Sequence, residues 1–201
     1  AALSPMGAVH ATSGNQNNEL GVPMTLAALS AAHQFGVIEM GAGQPGDIRY
    51  LCDIARPNVA VCLNASAAHL ANYDSVAAIA NTKGEIFEGL SADGLAIMNA
   101  DQPWLSGWRE QAGSARQATF GLSQGADYCA RNIRHGGIEG THFELQGPDC
   151  RESVSLQLAG EQHVSNALAA LTVAIELGVT PCQAAAAVAS VTPAAGRGAL
   201  A

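Results

Sequence analysis

Short apolar runs alternate with alanine-rich helical stretches over most of this 201-residue chain. The alternation covers residues 1 to about 90 and residues about 160 to 192. Strand-length runs that are separated by amphipathic segments of helix length are typical of a parallel sheet whose crossovers are helices. The pattern therefore predicts an α/β fold with a mainly parallel sheet flanked by helices.

The segment between these two stretches has a different texture. It contains short candidate strands separated by turns that are rich in glycine. These strands are Leu95–Asn99, Arg116–Phe120, Tyr128–Ile133, His142–Leu145 and Val154–Leu158. We therefore expect a smaller β-rich subdomain over residues about 95–158.

Two helix signals stand near the end of the chain. Thr180, Pro181 and Gln183 have the spacing of an N-cap, a first-turn proline and the third residue of a capping box. Ala167 to Leu177 has helical periodicity and is followed by Gly178, which is a common helix terminator. Both segments are predicted to be helices.

Charge and composition exclude several classes of protein. The chain has 9 Lys and Arg residues against 17 Asp and Glu residues, a net charge of −8, so it offers no basic surface for a nucleic-acid backbone. No apolar run has the length of a membrane span and no leader pattern opens the chain, so we expect a soluble cytoplasmic protein. Five scattered cysteines without a CxxC pair argue against a disulfide framework or a zinc site.

Polar side chains follow two predicted strands. Glu39 lies at the C-terminal end of the run Phe35–Met40, and His69 follows the run Val59–Asn64. Because ligands bind at the carboxyl ends of parallel strands, we expect Glu39 and His69 to lie close together and to suit a divalent metal, with Mg²⁺ favoured. The alternatives are a helix-capping glutamate and a structural histidine.

Lys83 interrupts an apolar stripe. Ser75 to Leu90 has helical spacing of its apolar residues, and Lys83 stands in the middle of the stripe that they form. A lysine on a buried face is paired with an acid, extends its ammonium group to solvent, or is chemically modified. The spacing alone leaves these three alternatives open.

Several motifs in order resemble those of a known family. They are Gly14–Pro23 (GNxNNxxGVP), Val37–Ala42, Ala55–Pro57, Ala68–Leu70, Lys83–Phe87 (KGEIF) and Asn99–Asp101. Together they resemble the motif series of the Mur ligases over nearly the whole chain. The first and fifth motifs are most similar to members that add D-alanyl-D-alanine to a UDP-N-acetylmuramoyl-tripeptide, ahead of other Mur ligases and of folylpolyglutamate synthase.

The resemblance implies an ATP-dependent amide-bond ligase of peptidoglycan precursor synthesis. In that family, ATP phosphorylates the peptide carboxylate, and the amine of the incoming dipeptide attacks the acyl phosphate. The resemblance implies that Glu39 and His69 are Mg²⁺ ligands and that Lys83 carries a carbamate that supplies a further oxygen ligand. All three are therefore candidate catalytic residues.

The resemblance also implies two binding regions. The family's contact to the muramoyl-peptide is matched by Asn15, Asn17 and Asn18. The alternative is a plain turn that is rich in asparagine, which would have the same composition. Asn166 matches the adenine-binding motif, whereas His163 departs from it. Arg197 matches a hinge arginine that reaches the nucleotide phosphates. We therefore expect a central ATP-binding domain over residues 1–192 and a hinge to a C-terminal domain over residues 193–201.

One motif of an ATP-binding protein is absent from the sequence. No GxxxxGK[ST] loop occurs, so we expect this chain to be an N-terminally truncated domain that does not ligate by itself without its flanking domains. A nicotinamide-dependent oxidoreductase is one alternative because Gly41–Gly46 has the GxGxxG spacing, but Pro45 stands in the turn and no acid occurs at residues 63–64. A non-catalytic nucleotide-binding module is the other.

Overall fold

The computed structural model describes residues 1–66, 73–123, 125–137 and 140–192. Its helical elements are a 3-10 turn at Ser4–Met6, α1 (Gly21–Ala27), α2 (Asp47–Ala55), α3 (Val76–Glu88), α4 (Leu105–Ala112), α5 (Glu161–Glu176) and α6 (Pro181–Ala189). Its strands are β1 (Val9–Ala11), β2 (Phe35–Val37), β3 (Val59–Cys62), β4 (Leu95–Asn99), β5 (Arg116–Gly121), β6 (Tyr128–His135), β7 (Thr141–Gln146) and β8 (Arg151–Leu156).

The strands form two sheets. β1 and β2 pair in parallel, and the other six strands follow the order β3-β4-β5-β6-β7-β8. Within this larger sheet, β3 with β4 and β5 with β6 are parallel pairs, whereas β6, β7 and β8 pair antiparallel. The predicted α/β class, with helices flanking a mainly parallel sheet and a β-rich part, is confirmed.

The chain divides into two compact units. One contains residues 1–6, 99–101 and 119–201, and the other contains residues 7–98 and 102–118. The bounds predicted for the β-rich subdomain, residues about 95–158, stay a prediction. The predicted hinge at residues 193–201 lies outside the described residues and stays a prediction.

Two predicted strands are shorter in the structure. β2 ends at Val37 rather than at Met40, because its partner β1 offers only three residues for pairing. β3 ends at Cys62, which is the last residue that pairs with β4. β4 itself has the predicted bounds. Glu39 therefore belongs to the loop after β2 rather than to the strand.

Helix α3 is the centre of packing in the unit of residues 7–98 and 102–118. Its N-cap is Ser75, the first residue of the predicted helical stretch, and the Ser75 side chain accepts the N–H of Ala78. Phe87 on α3 and Trp108 on α4 are buried side by side, and Nε1 of Trp108 donates a 2.9 Å hydrogen bond to the carbonyl of Ala80. These contacts fix α3 between the sheet and α4.

The two helices predicted near the end of the chain belong to the other unit. α6 begins at Pro181, and Oγ1 of Thr180 accepts the N–H of Gln183, as the capping pattern predicts. α5 begins at Glu161, six residues before the predicted start, because Gly160 takes a φ of 114° and its carbonyl accepts the N–H of His163. Within the described ranges, no helix combines the length and the apolar character that crossing a membrane requires.

Candidate functional site

The asparagine-rich loop and the loop after β2 meet through side chains. Nδ2 of Asn17 donates a 2.9 Å hydrogen bond to Oε1 of Glu39. The backbone N–H of Glu39 donates to Oγ1 of Thr12, also at 2.9 Å, which fixes the backbone just beyond β2. Glu39 is exposed, so its carboxylate is oriented by Asn17 while it remains open to solvent.

Two of the three asparagines have local structural partners. Oδ1 of Asn18 accepts the N–H of Gly21 at 2.9 Å and therefore caps the start of α1. A Cβ at Gly21 would overlap the backbone of Gln16, so only glycine permits this tight entry into the helix. The carbonyl of Asn15 accepts the N–H of Asn17 at 2.8 Å. The loop is thus folded by its own residues before any ligand binds.

A cavity of about 620 Å³ opens beside this loop. The polar residues that line it are Asn15, Asn17, Asn18, Glu19 and Asp47, and its wall is completed by Gly41–Gly43, Tyr50 and Leu51. All three asparagines that the sequence singled out therefore face one cavity. Sequence reasoning did not select Asp47 or Tyr50, because neither stands in a motif that points to chemistry.

Lys83 is half-buried on α3, as expected for a lysine within an apolar stripe. It lies near enough to the buried thiol of Cys62, the last residue of β3, for its charge to act on that thiol. Burial raises the pKa of Cys62 to about 12, and the charge of Lys83 opposes this shift. In the described part of the chain, Lys83 has no hydrogen-bond or ion-pair partner.

Of the three predicted metal ligands, Glu39 and Lys83 lie within the described residues. The exposed carboxylate of Glu39, with one oxygen held by Asn17, has the hard oxygen donors that Mg²⁺ prefers. The described ranges contain no group of three His, Cys, Asp or Glu residues that would hold an ion. His69 lies outside these ranges, so its predicted approach to Glu39 stays a prediction.

A second cavity, of about 250 Å³, lies within the other compact unit. Asn166 and His163, one turn apart on α5, both line it. Its remaining wall is mostly apolar and includes Leu156, Leu158, Ala167 and Val188. This combination of an apolar slot with a side-chain amide suits a flat heteroaromatic ring. Arg197 lies outside the described residues.

The comparisons with known proteins agree with these motifs. A model of the Mur ligase middle domain matches residues 1–174. The UDP-N-acetylmuramoyl-tripeptide–D-alanyl-D-alanine ligase of Escherichia coli strain K12 is 42% identical over 182 residues, which are 90% of this chain and 40% of that relative. The chain thus spans about 40% of the length of such relatives.

Solved structures of proteins named MurF are also similar to this chain. MurF from Acinetobacter baumannii superposes with a TM-score of 0.91 at 34% identity, over 97% of this chain and 42% of that chain. MurF from Thermotoga maritima, solved in complex with ADP, gives a TM-score of 0.82 at 30% identity, over 96% of this chain and 44% of that chain. Sequence motifs, fold and family model therefore agree, and the chain belongs to the Mur ligase family, of which it contains the middle domain.

Proposed function

We propose that the intact protein that carries this chain is an ATP-dependent peptide ligase that adds D-alanyl-D-alanine to a UDP-N-acetylmuramoyl-tripeptide. The hydrogen bond from Asn17, which lines the 620 Å³ cavity, to Glu39 is the observation that carries the proposal. It joins the loop assigned to the muramoyl-peptide to the carboxylate assigned to the metal. The 42% identity to the E. coli ligase supports the choice of substrates.

The chemistry has two steps. A carboxylate oxygen of the tripeptide attacks the γ-phosphorus of ATP, and the bond to ADP breaks, which leaves an acyl phosphate. The amino nitrogen of D-alanyl-D-alanine then attacks the acyl carbon, phosphate leaves, and the nitrogen loses its proton to give the amide. Positioning and neutralisation of charge supply most of the catalysis in such transfers.

The residues of this chain divide this work between them. Asn15, Asn17 and Asn18 bind the muramoyl-peptide, and Asn166 with the apolar slot beside it binds the adenine ring. Arg197 contacts the phosphates. Glu39, His69 and a carbamylated Lys83 hold Mg²⁺, which when bound neutralises charge on the phosphoryl oxygens. Because these substrates are nucleotide-linked precursors, we expect the protein to act in the cytoplasm.

The test is ligation by the intact protein. We expect a UDP-N-acetylmuramoyl-pentapeptide by mass spectrometry when tripeptide, D-alanyl-D-alanine and MgATP are supplied together, with one phosphate released per product. Omission of D-alanyl-D-alanine should abolish the product. Ligation of a single amino acid in place of the dipeptide would indicate another type of Mur ligase, and ATP binding without product would indicate a non-catalytic module.

The 201 residues alone should behave differently. A phosphate-binding loop supplies backbone N–H groups and a lysine to the β- and γ-phosphates, and this sequence contains none. We therefore expect weak ATP binding and no turnover by this chain. Tight MgATP binding in calorimetry would contradict that expectation.

A further inference from the structure

The carboxylate of Glu85 is buried on α3, with 3% of the residue exposed. Its Oε1 accepts the N–H of Gly46 at 2.9 Å, and its Oε2 accepts the N–H of Arg49 at 3.0 Å. These are the N-cap and third-residue amides of α2, whose N-cap glycine has no side chain with which to cap the helix. Glu85 therefore caps α2 from a neighbouring helix, where a negative charge is favourable.

Asp47, the first residue of α2, bonds to the preceding loop. Oδ2 of Asp47 accepts the N–H groups of Gly43 and Gln44, each at 2.9 Å. These bonds fix the glycine-rich turn that forms one wall of the 620 Å³ cavity. Glu85 on α3 therefore holds the start of α2, and Asp47 at the start of α2 holds the turn.

The same turn is attached to the asparagine-rich loop. The N–H of Gly41 donates a 2.7 Å hydrogen bond to the carbonyl of Asn17, whose side chain holds Glu39. A Cβ at Gly41 would lie 3.1 Å from Oδ1 of Asn17, so the two segments are already in close contact. Hydrogen bonds and neighbouring residues therefore connect Glu85 to Glu39 without a break, through α2, the glycine-rich turn and Asn17. Lys83 lies two residues before Glu85 on the same helix.

We propose that Glu85 is a positioning residue that keeps the helix of Lys83 in register with Glu39 and Asn17, and so sets the affinity of the site for Mg²⁺. This inference rests on the proposed function. Arg49 and Glu88 also join α2 to α3, through a 2.8 Å ion pair. That ion pair is partly exposed, so it contributes little to the stability of the contact between the two helices. The buried carboxylate of Glu85, in contrast, accepts two charge-assisted hydrogen bonds from the backbone.

The experiment compares Glu85→Gln with Glu88→Gln in the intact protein. A glutamine at residue 85 accepts one of the two N–H groups and presents an amide to the other. We expect the Mg²⁺ concentration for half-maximal ligation to rise about 10- to 100-fold, the range for residues that orient metal ligands. Added Mg²⁺ should restore most of the rate, which it would not do for a protein that had merely unfolded. Glu88→Gln should keep the Mg²⁺ dependence of the wild type.

Hydrogen exchange supplies a second readout that does not need activity. The amides of Gly46 and Arg49 should lose protection in Glu85→Gln and keep it in Glu88→Gln. If Glu85→Gln does not fold, Asp47→Asn tests the next carboxylate of the series and should shift the Mg²⁺ dependence in the same direction.

Two results would overturn the inference. One is an unchanged Mg²⁺ dependence in Glu85→Gln or, if that variant does not fold, in Asp47→Asn. The other is an equal shift in Glu88→Gln. Absence of ligation by the wild-type protein would instead overturn the proposed function and, with it, the role given to Glu85.

Discussion

The side-chain amide of Asn17 donates a 2.9 Å hydrogen bond to the carboxylate of Glu39, 22 residues further along the chain. The bond links the loop after β1 to the loop after β2, two parallel neighbours. Both side chains stand where parallel strands end, which is where ligands bind in open α/β sheets. For Glu39 as the proposed metal ligand, this bond would set the orientation of the carboxylate before an ion binds.

The first prediction concerns this bond. Asn17→Ala should lower kcat/KM for ligation by the intact protein about 10- to 100-fold, because Glu39 loses the group that orients it. The fold should be unaffected, since Glu39 is exposed and Asn17 is only half-buried. Ser13→Ala, an exposed change in the same loop, is the control. Equal activities of Asn17→Ala and the control would remove Asn17 from the site.

The second prediction concerns Lys83. Lys83→Ala should abolish ligation and leave the circular-dichroism spectrum intact, because α3 keeps its buried residues Ile79, Phe87 and Glu85. Added acetate or formate should restore part of the rate by supplying the lost oxygen ligand. Asn81→Ala, an exposed change on the same helix, should remain active. Near-normal turnover of Lys83→Ala in bicarbonate-free buffer would contradict the carbamate.

The third prediction tests the packing of α3 against α4 by two matched substitutions. A Cβ at Gly84 would overlap Oε1 of Gln111 and lie 2.7 Å from Cδ1 of Trp108. Gly84→Ala should therefore lower the free energy of unfolding by about 1–3 kcal/mol. Gly107→Ala, on the exposed side of α4 with nothing within 4 Å, should raise it by up to about 1 kcal/mol.

Urea denaturation of the 201-residue chain measures both glycine variants. Trp108 fluorescence supplies the signal, because this indole is buried in the contact that is being tested. A gain of stability in both variants would show that helix propensity, rather than the close approach of α3 and α4, controls the result.

The fourth prediction is a loss of stability at alkaline pH. Burial raises the pKa values of the Cys52 and Cys62 thiols from 9.0 to about 12. Between these values the unfolded chain binds fewer protons than the folded chain, so the free energy of unfolding falls as pH rises. The stabilisation is fully present below about pH 9, and each thiol contributes a slope of roughly 1.4 kcal/mol per pH unit above it.

Urea titrations at pH 8, 9, 10 and 11 measure this slope. Replacement of Cys52 and Cys62 by alanine should make it shallower. Replacement of the exposed Cys182 should leave it unchanged. An unaltered slope in the double variant would show that other groups, such as Tyr128, whose pKa is raised by burial and by its bond to Glu176, control the alkaline transition.

Local sequence signals predicted several elements with useful accuracy. The bounds of β4 agree with the prediction, and α6 begins at the residue that the capping signal indicates. The start of α6 depends on a side chain that bonds to the backbone within a few residues, Thr180 with Gln183. Such contacts are encoded by spacing alone.

Predictions were less accurate where the length of an element depends on a partner that is distant in the sequence. The apolar run of Phe35–Met40 reads as one strand, but β2 stops at Val37 because β1 has only three residues with which to pair. A run of apolar residues indicates a tendency to form a strand. The length of the strand is set by the neighbouring strand that supplies the hydrogen bonds.

The candidate functional residues also differ in whether the sequence alone or the tertiary structure identifies them. The sequence by itself determined the Mur ligase motifs, including Asn17, Glu39 and Lys83, because each motif is a local pattern of residue types. Only the tertiary structure decided that Asn17 holds Glu39 and that Glu85 caps α2 across 39 residues of sequence. A buried carboxylate that accepts backbone N–H groups from another helix has no local spacing by which to recognise it. Its partners become neighbours only when α2 packs against α3.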